Sequence, residues 1–151
     1  MEAPYAISTD EIKYIHSRLL EESIGLNGVR MDSLDSLVLG SRFQEDQSIE
    51  GQAAYWLSHL AKGHYFTDCN KRTAYFTVRY ILLMQGLDLD NPDVESTVKD
   101  LCSIAAAPNM DSAFELAQSF VHKSIVENGR IPNRDLFDNI VLRNVGLPLQ
   151  E

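Results

Sequence analysis

Cysteine is scarce in this sequence, and its pattern excludes two classes of protein. The chain has two cysteines, Cys69 and Cys102, which stand far apart. Two isolated thiols cannot form the multi-bridge framework of a small secreted domain, and neither belongs to a closely spaced pair of the kind that binds zinc. We therefore expect a protein of the reducing cytoplasm, without a disulfide framework or a zinc site.

Long apolar runs and an excess of basic residues are also missing. No stretch approaches the roughly 18 apolar residues that a membrane-spanning helix needs, and the first residues, MEAPYAISTDE, lack the basic and apolar regions of a signal peptide. Lysine and arginine number 13 against 22 acidic residues, which gives a net charge of −9. Such a chain is not expected to bind nucleic acid or an anionic membrane through charge. We expect a soluble cytoplasmic protein with neither as a direct partner.

Strand patterns are nearly absent, whereas helical patterns cover most of the chain. Of its 151 residues, 44% are hydrophobic, which is enough for the core of one domain. The apolar residues recur at intervals of three and four, which predicts an all-α fold. The polar segment 42–50 has no clear period and is predicted to be either a loop or a short β-hairpin flap. Helices are predicted to begin near Ser8, Asp32 or Ser33, Gly51, Asn70, Asn91, Asp111 and Asn133.

The limits of several helices are predicted from capping residues. Ser8 and Glu11 have the spacing of a capping box. The segment 91–93 (Asn-Pro-Asp) has the composition of a helix start, with a capping residue and a proline in the first turn. The helix that begins near Asp111 is predicted to end near 128–129, where asparagine and glycine follow each other.

The helix predicted over residues 70–86 is apolar on nearly every side, with Arg79 as the main exception. A helix that is apolar all round is normally central and buried. Its N-terminus then directs unpaired amides, and the positive end of the helix dipole, at the preceding loop. Phosphate or another anion is the favoured ligand at such a place.

The nine residues HYFTDCNKR, 64–72, place a dense polar cluster at the start of this helix. Lys71 and Arg72 fall in the first turn, where each cation is unfavourable by roughly a few tenths of a kcal/mol unless an anion is bound. His64 can take a proton from a hydroxyl near neutral pH. Asp68 can hold the divalent cation that a polyphosphate brings. The cluster predicts a site for a phosphate-bearing ligand.

Each residue of the cluster also has a plainer interpretation. Asn70 can cap the helix, contact a phosphate, or both, and Phe66 is predicted to turn inward and anchor the loop. His64 alone would fit a surface histidine, and Asp68 alone a turn residue. Their combination around one helix start favours a functional site. The remaining histidines are predicted to be surface or core residues rather than ligands: His16, His59 and His122.

The segment 64–72 resembles the Fic/Doc motif, H-x-F-x-[DE]-G-N-[GK]-R. The run NKRTA is more specifically similar to the Doc (death-on-curing) branch, the toxin half of toxin–antitoxin pairs, and GLNGVRMDSL (25–34) is similar to the segment after the first helix in that branch. The resemblance covers about residues 8–125. It implies the Fic fold, a helical bundle around the buried helix, with a Fic/Doc domain over 1–128. The C-terminal extension, 129–151, is expected to form a short helix.

The resemblance also implies a role for each residue of the motif. His64 would be the base that activates a hydroxyl of the target, Asp68 would orient that hydroxyl or hold Mg²⁺, and Phe66 would be structural. The co-substrate would be ATP or another nucleoside triphosphate. Its phosphates would be bound by four residues: Asn70, Lys71, Arg72 and the backbone of Cys69.

Three positions depart from the usual pattern of the family. AMP-transferring members carry glycine where this chain has Lys71 and a second arginine where it has Tyr75, and Cys69 replaces a residue that is usually glycine or alanine. The Doc branch is associated with transfer of the terminal phosphate, which implies a kinase of a protein Ser, Thr or Tyr hydroxyl. Elongation factor Tu is the implied target class, and a Phd-like antitoxin is a second implied partner. The alternatives are an AMP transferase and a catalytically silent binding module.

Overall fold

A computed structural model describes residues 4–21 and 33–128, and over them the chain is mostly helical. This agrees with the predicted all-α class. Two short strands form a small antiparallel sheet, which was not predicted. The helices are α1 (Thr9–Glu21), α2 (Leu34–Ser41), α3 (Ile49–Lys62), α4 (Asn70–Leu83), α5 (Val94–Ala105) and α6 (Met110–Ser124), and the strands are β1 (Leu87–Leu89) and β2 (Ile125–Glu127).

Several helices begin at side chains that accept a hydrogen bond from the backbone. The predicted capping box of α1 is present: Ser8 N donates to Glu11 Oε1 at 3.0 Å, and Glu11 N donates to Ser8 Oγ at 3.2 Å. The predicted start of α5 at Asn91 is wrong, because the cap is Asp93, whose Oδ1 accepts from Ser96 N at 3.1 Å. The helix therefore begins after the proline rather than around it.

Helix α4 is buried among its neighbours, as predicted. Every residue from Arg72 to Leu83 is buried, and the helix packs against α3 and α1. It is shorter than predicted, because it ends at Leu83 and Gly86 adopts a φ of 75° in the turn to β1. Packing on several sides gives the N-terminus of α4 a fixed direction, and the loop that precedes it carries the predicted site.

The small sheet corrects the predicted end of α6. Strands β1 and β2 pair in antiparallel register, with Asp88 opposite Val126. The prediction that α6 runs to 128–129 is wrong: the helix ends at Ser124, and the next three residues join the sheet. The β-branched residues Ile125 and Val126 suit a strand, and pairing with β1 outweighs continuation of the helix.

The segment 42–48 is a loop, so the β-hairpin alternative for residues 42–50 is wrong. Side chains in this segment bond to nearby backbone groups instead of leaving them to a strand ladder. Gln47 Nε2 donates to Ser41 O at 3.0 Å, and Asp46 Oδ1 accepts from Ser48 N at 3.0 Å.

Three predicted features lie outside the described residues: most of the segment 25–34, the helix after Asn133, and the extension 129–151 as a whole. In the part of the chain that the structure describes, every helix is too short or too polar to span a membrane.

Candidate active site at the start of helix α4

A short loop, 63–69, connects the end of α3 to the start of α4 and carries most of the predicted site. Gly63 closes α3, and its N–H donates to His59 O at 2.8 Å. A β-carbon at this position would lie 2.3 Å from Cε2 of Tyr65 and 2.6 Å from His59 O. Only glycine therefore allows the Tyr65 ring to pack this closely where the chain leaves α3.

His64 is the first residue after that turn, and it is exposed. Its φ is 54°, in the left-handed region that non-glycine residues rarely occupy. Within residues 4–21 and 33–128, only His64 and Cys69 combine a side chain with a positive φ. Such conformations cost about 1–3 kcal/mol, persist only where the surrounding structure holds them, and cluster at functional sites. The His64 imidazole is thus presented to solvent from a strained turn.

Phe66 and Asn70 tie the two ends of the loop together. Phe66 is 1% exposed, as predicted for an anchor. Asn70 Oδ1 accepts from Phe66 N at 3.0 Å, and Asn70 Nδ2 donates to Phe66 O at 2.9 Å. Of the two predicted roles of Asn70, capping of α4 is wrong, because Cys69 is the N-cap and the Asn70 amide bonds within the loop. This pair of hydrogen bonds closes the loop over the first turn of α4. The contact of Asn70 with a phosphate stays a prediction.

Cys69 occupies the N-cap with a φ of 63° and a fully buried side chain. Cys69 O accepts from Thr73 N at 2.9 Å, and Cys69 N donates to Asp68 Oδ1 at 2.9 Å. The backbone amide that was predicted to bind phosphate is therefore already engaged. A phosphate would have to displace the Asp68 carboxylate to reach it.

Asp68 is half-buried and could contribute one ligand to a cation. Over the described ranges there is no group of three or more His, Cys, Asp or Glu side chains that could hold a metal ion. Mg²⁺ is commonly bound by one or two carboxylates together with the phosphates of a substrate. A single carboxylate next to a bound phosphate would fit that mode, and it does not fit a metal site built by protein side chains alone.

Lys71 and Arg72 lie in the first turn of α4, as predicted, and that turn contains no acidic residue. Lys71 is half-buried, whereas Arg72 is only 9% exposed. Both cations lie where the backbone amides already make the potential positive. This end of α4 therefore suits an anion with several negative charges, such as a polyphosphate.

Tyr75 joins α4 to the segment before α5. It is 5% exposed, and its hydroxyl donates to Asn91 Oδ1 at 3.0 Å. Burial raises the pKa of Tyr75 to about 12. Its hydroxyl is therefore neutral at physiological pH and bonded to the segment before α5.

His16 belongs to the site although the sequence interpretation did not include it. It is buried, with 3% exposure, and its Nε2 lies 2.9 Å from Asp68 O. Its ring stacks on Phe66, with 3.9 Å between ring centres and 12° between the ring planes. The sequence contains a signal for this placement, because His16 lies on the same face of α1 as three fully buried apolar residues. These are Ile12, Ile15 and Leu19.

The other two histidines are placed as predicted, in the core and on the surface. His59 is half-buried against Tyr55, with 4.3 Å between ring centres, and burial lowers its pKa. His122 is exposed on α6, with Nδ1 2.9 Å from Glu50 Oε1. Neither side chain has the loop contacts of His16.

The loop and the first turn of α4 carry four groups within residues 64–72 that could serve transfer to a hydroxyl. The exposed His64 imidazole can accept a proton, and Lys71 and Arg72 can neutralise phosphate charge. Asp68 can orient a hydroxyl or a cation.

Comparison of the chain with protein-family models and with curated proteins finds no match in either.

Proposed function

We propose that the chain is a Doc-like toxin enzyme that transfers the terminal phosphate of ATP, or of another nucleoside triphosphate, to a hydroxyl of a target protein. The observation that carries the proposal is the exposed His64 on a strained turn of the loop that leads into α4, whose first turn contains Lys71 and Arg72. A loop that only connected two helices would not need an exposed histidine in this strained backbone conformation. Within the proposal, elongation factor Tu is the target class, the cytoplasm is the compartment and a Phd-like antitoxin is the regulator.

The proposed reaction forms one phosphorus–oxygen bond and breaks another. The oxygen of a Ser, Thr or Tyr side chain attacks the γ-phosphorus, and His64 accepts the hydroxyl proton. The bond between the γ-phosphorus and the oxygen that bridges it to the β-phosphate breaks, and the nucleoside diphosphate leaves. His64 then releases its proton to solvent. Such a transfer needs positioning and charge neutralisation more than a covalent intermediate with the enzyme.

The residues around His64 divide into groups that bind the nucleotide and groups that hold the loop. Lys71 and Arg72 bind the phosphates with the amides of α4. Mg²⁺ on Asp68 and the phosphates would supply further neutralisation of charge. Phe66 and Asn70 act through the position of the loop, because both are buried and bonded to each other.

The position of Tyr75 favours phosphate transfer over AMP transfer within this proposal. Its buried, neutral side chain supplies no cation of the kind that a second arginine would provide. A triphosphate bound by Lys71 and Arg72 without that arginine is expected to lie in the inverted orientation of the Doc branch. The terminal phosphate then faces His64.

Transfer of label from γ-labelled ATP into the proteins of a bacterial lysate tests the proposal. We expect the wild type to label a discrete protein in the presence of Mg²⁺, and His64→Ala to label it at least about 100-fold more slowly, the smaller effect of losing a general base. His122→Ala is the matched control, since it removes an exposed histidine on α6, and it should label like the wild type. No labelling by either the wild type or His64→Ala would leave a silent binding module, and equal labelling by both would contradict the role of His64.

A further inference from the structure

The loop that carries His64 is attached to α1 through His16, which lies outside the motif. His16 Nε2 is 2.9 Å from Asp68 O, and the His16 ring stacks on Phe66 at 3.9 Å. We propose that His16 is a positioning residue, which holds the Asp68 peptide and the Phe66 ring in place beneath the catalytic loop. The catalytic consequence of this inference rests on the proposed function, whereas its structural content does not.

The hydrogen bond between His16 and Asp68 can have only one direction. A carbonyl oxygen only accepts, so Nε2 of His16 must carry the proton. His16 therefore acts as a donor to the loop through Nε2.

His16 contacts the peptide group that precedes the left-handed residue Cys69. The Asp68 carbonyl belongs to the peptide that leads into Cys69, whose φ is 63°. A non-glycine residue keeps this backbone conformation only where the surrounding structure holds it in place. Within the loop, Asn70 fixes the backbone at Phe66. His16 adds a contact at Asp68, which lies between Phe66 and Asn70 in the sequence, and it makes this contact from α1.

Helix α1 is a firm support for this contact. Its capping residue Glu11 accepts from the Tyr80 hydroxyl of α4 at 2.6 Å, which ties the two helices together. Three apolar side chains on the face that carries His16 are fully buried: Ile12, Ile15 and Leu19. The imidazole is therefore held by the core and not by a mobile surface segment.

Two substitutions separate the two contacts of His16. His16→Phe keeps an aromatic ring against Phe66 but removes the donor to Asp68 O. His16→Gln loses the ring but keeps an N–H donor at about the same reach from the backbone. If the hydrogen bond positions the loop, the glutamine variant should resemble the wild type more closely. Should His16→Phe not fold, His16→Asn, whose shorter amide does not reach the carbonyl, replaces it in the same comparison.

The Cys69 thiol provides a measure of loop order that does not depend on any activity. Cys69 is buried and Cys102 is exposed, so in a Cys102→Ser background the rate of thiol labelling reports opening of the loop. We expect His16→Phe to raise that rate by about tenfold, the factor for losing one hydrogen bond to a buried acceptor. His16→Gln should raise it by clearly less.

A control variant separates local opening from a general loss of stability. Ile104→Val removes one methylene from a buried residue of α5, a helix that the loop does not connect. The rates of Cys69 labelling in His16→Phe and Ile104→Val are compared at urea concentrations that give the two variants equal free energies of unfolding. If Cys69 in His16→Phe then reacts no faster than in Ile104→Val, the positioning role is overturned.

Transfer kinetics test the catalytic consequence. His16→Phe should lower kcat by about tenfold or more while the KM for ATP stays nearly unchanged, because Lys71 and Arg72 stay on α4. His16→Gln should recover most of kcat. An unchanged kcat in His16→Phe would overturn the positioning role. If the wild type transfers nothing, the proposed function fails, and the labelling of Cys69 alone decides on His16.

Discussion

At the scale of single residues, the site depends on side chains in a backbone conformation that favours glycine. His64 and Cys69 have φ values of 54° and 63°, and the left-handed conformation costs a non-glycine residue roughly 1–2 kcal/mol. Residue type does not reveal such values, because they are set by the loop as a whole. The resemblance offered one hint, since the family usually carries glycine or alanine at the position of Cys69.

Substitutions of Cys69 test the strain at the N-cap. Cys69→Gly should change the free energy of unfolding by no more than about 1 kcal/mol, because relief of the left-handed conformation offsets the loss of a buried thiol. Cys69→Val should cost more than about 2 kcal/mol, because a β-branched side chain is added in a fully buried, left-handed position. Urea denaturation measures both, and equal stability of the two variants would contradict the assigned backbone conformation.

Lys71 is the residue on which the type of transfer is proposed to depend. Lys71→Gly should slow phosphate transfer roughly tenfold or more, because a charge-assisted hydrogen bond is worth about 1.5–3 kcal/mol, and should raise the share of nucleotidyl transfer. Lys71→Gln is the control, since it removes the charge and keeps a long side chain in the helix. The ratio of label transferred from α-labelled ATP to label transferred from γ-labelled ATP measures nucleotidyl transfer relative to phosphate transfer. An unchanged ratio in Lys71→Gly would show that Lys71 does not orient the nucleotide.

Residue roles were predictable where they depend on residue type and were missed where they depend on a partner. Phe66, apolar between polar positions, was predicted to turn inward and does so. The bonds from Asn70 to Phe66 required knowing that the loop folds back on itself. His16 could have been suspected as a polar residue on an apolar face, but its contact with Asp68 spans much of the chain.

At the scale of the elements, α4 was predictable because its apolar residues leave almost no polar face. The strands were not predictable, because β1 and β2 are three residues each and form only by pairing across a long stretch of chain. That long-range pairing is also why α6 ends at Ser124 rather than near residue 128. Local patterns thus indicated the helices, and a tertiary contact decided where α6 ends.

The link between α4 and β1 is a buried ion pair that can be tested by substitution. Arg79 Nε and Nη2 each donate to Asp88 at 2.9 Å, and the side chains are 10% and 14% exposed. Asp88→Asn should lower the free energy of unfolding by about 3–5 kcal/mol, because it leaves a buried guanidinium without its countercharge.

The same substitution at an exposed ion pair is the control. Lys123 Nζ lies 2.8 Å from Asp100 Oδ2, with side chains 57% and 31% exposed. Asp100→Asn should cost less than about 1 kcal/mol, because solvent screens such a pair. Similar losses in Asp88→Asn and Asp100→Asn would show that the Arg79 pair is not buried as described.

At the scale of the whole molecule, buried ionisable groups make stability depend on pH. Burial lowers the pKa of His16 and His59 below their ordinary value of 6.5. The unfolded chain then takes up these protons before the folded chain does, so stability is lost as the pH falls below about 6.5 and on through the folded pKa values. Burial alone would raise the pKa of Glu11, but hydrogen bonds from Tyr5, Tyr80 and Ser8 outweigh it and lower that pKa. The contribution of Glu11 to the free energy of unfolding is therefore lost only at more acidic pH.

Urea unfolding between pH 7.5 and pH 5 measures this dependence. We expect the free energy of unfolding to fall over that interval in the wild type and to fall less steeply in His16→Gln/His59→Gln. His122→Gln, at an exposed histidine, should follow the wild-type curve. A double variant as steep as the wild type would show that the two buried histidines are not the groups responsible.

The most direct test of the central claim is the intact mass of purified elongation factor Tu after incubation with the protein, ATP and Mg²⁺. The proposed function predicts a product heavier by one phosphoryl group with the wild type, formed at least about 100-fold more slowly with His64→Ala. A product heavier by a nucleoside monophosphate, or the phosphorylated product formed equally fast with His64→Ala, would contradict it.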